Sequence, residues 1–134
     1  MSSIFTKIIA GDIPCYKVAE DAHNIAFLDI RPLKKGHTLC VPKVEVDELY
    51  ELPEEDYQRL MVFSQRVAKA LKKAVPCKRI GSMVLGMEVP HAHLHLVPIE
   101  AEHELSFANT PLSLSSEEMM SIAASISDAL DSAE

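Results

Sequence analysis

The chain lacks any apolar run approaching the ~20 residues that a membrane-spanning helix requires. Residues 1–10 also lack the long apolar stretch and cleavage site of a secretory leader. Cysteine is sparse. Cys15, Cys40 and Cys77 form an odd, widely spaced set, which argues against a disulfide framework and for reduced thiols. Repeats, low-complexity tracts and linkers are missing too. Basic charge is in deficit: 13 Lys and Arg face 20 Asp and Glu, a net charge of −7. A surface of that sign repels a phosphate backbone and disfavours broad nucleic-acid binding. The expectation is a cytoplasmic protein with neither membrane nor nucleic acid as partner. A local pocket can still oppose the net field and hold a small phosphorylated ligand.

What is present is ordinary globular material. The 134 residues are 48% hydrophobic and 25% charged. That suits one domain, residues 1–134, able to bury roughly 68% of its unfolded surface.

Punctuation residues divide the chain. Ile4–Ala10 is short and amphipathic and is followed by Gly11, a helical turn with a glycine cap. Tyr16–Glu20 and Ile25–Ile30 flank the polar turn Asp21-Ala22-His23-Asn24, a hairpin signal. Residues 31–36 read as a loop, and His37–Pro42 as a third strand. Pro53 opens the longest helical pattern, with Glu54, Glu55 and Asp56 at its positive end. Leu60, Phe63, Val67, Leu71 and Ala74 give that helix one apolar stripe to about Val75. Ile80–Met87 and His91–Ile99 read as fourth and fifth strands, and 100–114 as a loop. Ser115 and Glu118 form a capping box for a last helix, 115–131, with Met119, Ile122, Ile126 and Leu130 on one face. The fold class expected is α+β: a five-stranded antiparallel sheet with helices packed on one face.

Half of the six histidines lie within five residues, in Pro90-His91-Ala92-His93-Leu94-His95-Leu96-Val97-Pro98. On a strand, residues two apart share a face. The three imidazoles then project together, and Ala92, Leu94 and Leu96 point into a core. Three readings are open. The histidines could simply decorate a solvated face. They could bind metal, with His37 and Cys40 as further ligands, although no Cys-x-x-Cys pair is present. Or they could be a nucleophile with its supports, since imidazole exchanges protons near neutrality. A nucleophile that must be neutral predicts kcat/KM falling below roughly pH 6.

His91-Ala92-His93-Leu94-His95-Leu96-Val97 resembles the signature of the histidine triad (HIT) family of nucleotide hydrolases and transferases. Ile4–Pro14, Ala26–Ile30 and Gly36–Lys43 resemble further blocks of that family, in its order, so the likeness covers residues 4–98. The resemblance implies a nucleotidyl-histidine mechanism at the α-phosphate of a purine nucleotide conjugate. It implies His93 as nucleophile, with His91, His95 and His37 around it as phosphate contacts and ring network. It places Phe27, Asp29 and Ile30 by the base and ribose. It implies no cofactor, and a homodimer in which the 53–75 helix and the 79–87 strand join two subunits into one continuous sheet.

Some relatives bind zinc through an N-terminal Cys-x-x-Cys. Ser3 and Thr6 stand at those places here, so no metal is expected. Gly86-Met87-Glu88 stands where the family commonly has Gly-Gln-Ser or Gly-Gln-Thr, whose hydroxyl contacts phosphate. Glu88 is thus a candidate contact for an amine or leaving group. It also motivates a second function class: a nucleotide-binding or interaction protein with weak or lost catalysis.

Overall fold

The computed structural model describes residues 2–131. Helix α1 spans Ile4–Ile9, and strands β1 and β2 span Lys17–Glu20 and Asn24–Leu28. Strand β3 is Thr38–Pro42, helix α2 is Glu54–Ala74, and strands β4 and β5 are Arg79–Met83 and Leu94–Ile99. Helix α3, Ser116–Asp131, follows. A 3-10 turn, Leu49–Glu51, precedes α2, and a second, Glu102–Glu104, falls in the segment that reads as loop from sequence. The strands form one sheet of five in the order β1-β2-β3-β5-β4, with every pairing antiparallel.

Local chemistry explains the boundaries. Asp21 Oδ1 accepts the His23 and Asn24 amides at 2.9 and 2.8 Å, an Asx turn that closes the first hairpin. Ser115 Oγ accepts the Glu118 amide, and Glu118 Oε1 accepts the Ser115 amide, so the capping box forms as its spacing predicts. Gly11 adopts φ +84° just past α1 and donates to the Ile8 carbonyl, a cap that only glycine adopts cheaply.

The two long helices share one face of the sheet. Leu60, Phe63, Val67, Ala70 and Leu71 of α2 and Met119, Ala123 and Ile126 of α3 pack with Ala26, Leu28, Cys40, Leu94 and Leu96. Each large side chain so buried contributes about 1.5–3 kcal/mol. The short α1 takes the opposite face, where Phe5 joins Ile25, Phe27, Leu39 and Val41. Alternation along β2 and β3 assigns the two sets to opposite sides.

Two strands are shorter than their sequence pattern suggests. Strand β4 stops at Met83 rather than Met87, and β5 starts at Leu94 rather than His91. The β3–β5 ladder covers only Thr38↔Leu96, Leu39↔His95 and Cys40↔Leu94. Upstream, Pro90 has no N–H to contribute, and the Ala92 amide turns to the Val46 carbonyl at 2.6 Å. His91 and His93 therefore sit on the irregular approach to the strand, and only His95 lies in it.

Candidate functional site

Gly36 sets the first histidine. It has φ +91°, and a Cβ there would stand 2.9 Å from Leu71 Cδ1 and 3.0 Å from Val75 Cγ2. The chain thus turns tightly against α2 and delivers His37, fully buried, to the start of β3. His37 Nε2 lies 3.0 Å from His95 Nδ1. The His95 ring lies 4.9 Å from that of His93, centroid to centroid, edge to face. Phe5 of α1 stands edge-on to His93 at 5.0 Å, to His91 at 5.8 Å and to Phe27 at 5.5 Å. The histidine face of the sheet is therefore the α1 face.

The partners fix the tautomers, because backbone amides only donate and carbonyls only accept. The Leu33 amide donates to His37 Nδ1 at 3.0 Å, so in the neutral ring the proton sits on Nε2. That proton goes to His95 Nδ1, which leaves His95 with its own proton on Nε2. His93 Nδ1 donates to the His91 carbonyl at 2.7 Å, so its Nε2 carries a lone pair. His91 Nε2 donates to the Pro42 carbonyl at 2.7 Å, and its Nδ1 faces Ser3 Oγ at 2.7 Å.

Desolvation favours the neutral form of three of these rings, His37, His93 and His95. Burial holds His93 below the ordinary imidazole range, partly opposed by its bond to the His91 carbonyl. Burial, then the neighbouring His93 and His37, bring His95 down to about 3. Burial also lowers His37, with the Asp29 carboxylate opposing. His93 and His95 keep 6% and 5% exposure, whereas His37 and His91 keep none. Only the first two can meet a ligand directly.

Asp29 leaves the end of β2 and has two duties. Its Oδ1 accepts the Arg31 amide at 2.9 Å, and its Oδ2 lies 3.6 Å from His37 Nε2. Phe27 is buried in the apolar cluster that backs the histidines. Ile30 is 75% exposed beyond the strand end. Glu88 is exposed, and among the described residues it makes no hydrogen bond or ion pair. The structure thus joins His37, His91, His93, His95, Asp29 and Phe27 into one constellation, and no hydrogen bond or ion pair among the described residues ties Glu88 to it.

Asp29, His37 and His95 each bring one ligand-type atom within 4.8 Å of the others. The Leu33 amide nevertheless occupies one lone pair of His37, so Nε2 holds the proton and offers none to a cation. Cys40, weighed from sequence as a ligand, faces α2 on the other side of the sheet. Ser3 and Thr6 present neutral hydroxyls, unlike the thiolates that suit zinc. Those hydroxyls serve hydrogen bonds: Thr6 Oγ1 donates to Glu45 Oε1 at 2.5 Å, and Ser3 Oγ accepts the Thr6 amide at 3.0 Å.

Sequence reasoning missed several members of the site. Leu33 and Pro42 act through backbone atoms, which leave no side-chain signal. Ser3 meets His91 across 88 positions. Phe107, in the loop after β5, places its ring 5.1 Å from that of His95 and 6.2 Å from that of His37.

The chain as a whole is similar to known proteins. Residues 10–102 match the HIT domain family. An adenosine 5'-monophosphoramidase of Schizosaccharomyces pombe is 38% identical over 99 residues, covering 73% of this chain and 74% of its own. The Protein hit of Bacillus subtilis is 40% identical over 102 residues, covering 71% of this chain and 69% of its own. A Hit-like protein of Bartonella henselae superposes with a TM-score of 0.83 at 31% identity over 96% of both chains. With the family match spanning most of its length and its histidines so arranged, the chain belongs to the HIT domain family.

Proposed function

We propose that this protein hydrolyses purine nucleotide conjugates of the nucleoside phosphoramidate or dinucleoside polyphosphate type, through a nucleotidyl group carried transiently on His93. One observation carries the reading. The His91 carbonyl ties up His93 Nδ1–H and leaves the Nε2 lone pair on a neutral, slightly accessible ring. The fission-yeast relative named as an adenosine 5'-monophosphoramidase supports the substrate class.

The step is a displacement at phosphorus. His93 Nε2 attacks the α-phosphorus, an N–P bond forms, and the bond to the leaving group breaks. The leaving group departs with the electron pair and takes a proton from solvent, balanced by the proton that the attacking water of the second step gives up. Water then attacks the phosphorus, releases the nucleoside monophosphate and frees His93. Charge builds on the phosphoryl oxygens, and a fixed donor aimed at them speeds the step most. His95 Nε2–H is that donor, kept in place by the His37 Nε2–H bond to Nδ1. Asp29 retains free lone pairs for ribose hydroxyls, and Ile30 offers an exposed apolar surface to the base. The flanking His91 holds His93 rather than the phosphate. The reading includes a cytoplasmic homodimer joined at the outer rim of β4, the edge strand of the sheet. Sedimentation at micromolar concentration tests that part.

Adenosine 5'-phosphoramidate is the probe for the chemistry. Wild type is expected to release AMP, and His93→Ala to lose at least ~10³-fold in kcat/KM. Acid quenching with peptide mapping is expected to find the nucleotidyl group on His93. Turnover by His93→Ala at the wild-type rate, or label on another residue, overturns the mechanism. Inert wild type that still binds AMP by calorimetry favours the second reading, a nucleotide-binding protein, for which exposed Met87 and Glu88 before the triad speak.

A further inference from the structure

The segment between β5 and α3 has the sequence character of plain loop, yet it is tied down at two points. Glu104 Oε2 pairs with Lys34 Nζ at 2.9 Å, and its Oε1 accepts the Glu100 and Ala101 amides at 2.6 and 3.2 Å. The Leu112 amide donates to the Pro32 carbonyl at 2.7 Å. Both anchors, Lys34 and Pro32, lie on the loop that delivers His37. Between Glu104 and Leu112, Ser106 closes a local turn, its Oγ accepting the Ala108 amide and its carbonyl the Asn109 amide, both at 3.1 Å. Phe107 projects from this turn onto the His37 and His95 rings.

Phe107 is 46% exposed, so its position is a poor solution to burial alone. It rests against two imidazoles rather than in either apolar cluster. Its ring stands edge-on to His95, at 72°, and tilted by 37° to His37. It therefore covers the pair whose mutual hydrogen bond decides which nitrogen of His95 bears a proton. A water reaching that bond would compete for both nitrogens and free the His95 ring to turn.

We propose that Phe107 is a positioning residue, whose ring shields the His37–His95 hydrogen bond from water and holds His95 with Nε2–H toward the ligand. The strap and the loop bearing His37 are pinned together, so roof and relay keep their spacing. The kinetic consequence rests on the hydrolase reading; the shielding does not.

Two measurements separate them. In nitrogen-15 NMR of the full chain, the His37 Nε2 proton is expected to exchange with water at least ~10-fold faster in Phe107→Ala than in wild type. Phe107→Tyr is expected to restore slow exchange, since it keeps the ring. In turnover of adenosine 5'-phosphoramidate, Phe107→Ala is expected to lose about 10-fold in kcat with KM changed less than about 2-fold. Phe107→Tyr is expected to recover most of that loss. Equal exchange in wild type and Phe107→Ala, or a Phe107→Tyr protein as impaired as the alanine variant, overturns the proposal. Half-exposed Phe107 leaves the core intact when truncated, and a matching melting temperature checks this. If wild type itself turns nothing over, the hydrolase reading falls and the exchange measurement still decides the role of Phe107.

Discussion

Ser3 Oγ and His91 Nδ1 meet at 2.7 Å, joining the first turn of the chain to the first histidine of the triad. The same Oγ accepts the Thr6 amide at 3.0 Å and so caps α1. One hydroxyl therefore orients a helix, and with it Phe5, and also the histidine whose carbonyl holds His93.

Ser3→Ala removes both bonds. An unpaired buried ring nitrogen costs about 1–3 kcal/mol, and a lost N-cap about 1. The expected result is a melting temperature lower by several degrees and a fall in kcat with little change in KM. Ser3→Thr keeps the hydroxyl and should recover most of both. A Ser3→Ala protein that melts and turns over like wild type would show that the Ser3 hydroxyl is dispensable, His91 being held by the Pro42 carbonyl and by Thr6 Oγ1, 3.4 Å from Nδ1.

The acid limb of kcat/KM moves from where sequence alone places it. An ordinary imidazole predicts loss below roughly pH 6. Burial depresses His93, so the neutral nucleophile persists to lower pH. The fall is therefore expected at a lower pH than an ordinary imidazole would give, provided the fold survives. A midpoint at or above 6.5 counts against His93 as the titrating group.

Stability should show the same histidines from the other side. The unfolded chain takes up protons near pH 6.5, while folded His37, His93 and His95 resist them. Between those limits the unfolded state binds more protons, so stability falls as pH drops below about 6.5 and continues to fall toward the folded values. Between pH 7.5 and 5 His95, held at about 3, is expected to account for a loss on the order of 2 kcal/mol, and His37 and His93 add to it in the same direction. Denaturant titrations at both pH values measure it, and His95→Asn should remove part of the difference. Equal stability at the two pH values would mean the rings are protonated in the fold.

Gly36 and Gly11 make a matched pair for backbone tests. Both have positive φ, but a Cβ at Gly11 meets nothing within 4 Å, whereas at Gly36 it meets Leu71 and Val75. Gly11→Ala should cost the ~1–2 kcal/mol of the left-handed backbone alone. Gly36→Ala adds overpacking of another 1–3 kcal/mol, roughly. It should also disturb His37, so activity falls along with the melting temperature. Equal melting temperatures for the two variants would show that Leu71 and Val75 yield freely.

The elements with strong local signals were legible in the sequence. The stripe of α2, the Asp21 turn and the Ser115–Glu118 box each carry their own physics in a few adjacent residues. The triad was legible as a cluster but not as geometry. His-x-His-x-His alternates as a strand does, yet the ladder ends where Pro42 and Pro90 withdraw their amides. His37 came from the resemblance, and its link to His95 depends on a register that no local pattern encodes. Phe107 lies in a segment without periodicity and is fixed by Glu104 reaching Lys34 across 70 positions.

On the proposed reading, in which Asp29 meets ribose hydroxyls, its turn matters to recognition. Because Oδ1 already holds the Arg31 amide, the carboxylate is frozen before any guest arrives. A hydroxyl approaching its remaining lone pairs meets an immobile acceptor and is spared the ~0.5–1.5 kcal/mol of ordering a free side chain. Loosening that turn, even with the carboxylate intact, would weaken capture through entropy alone.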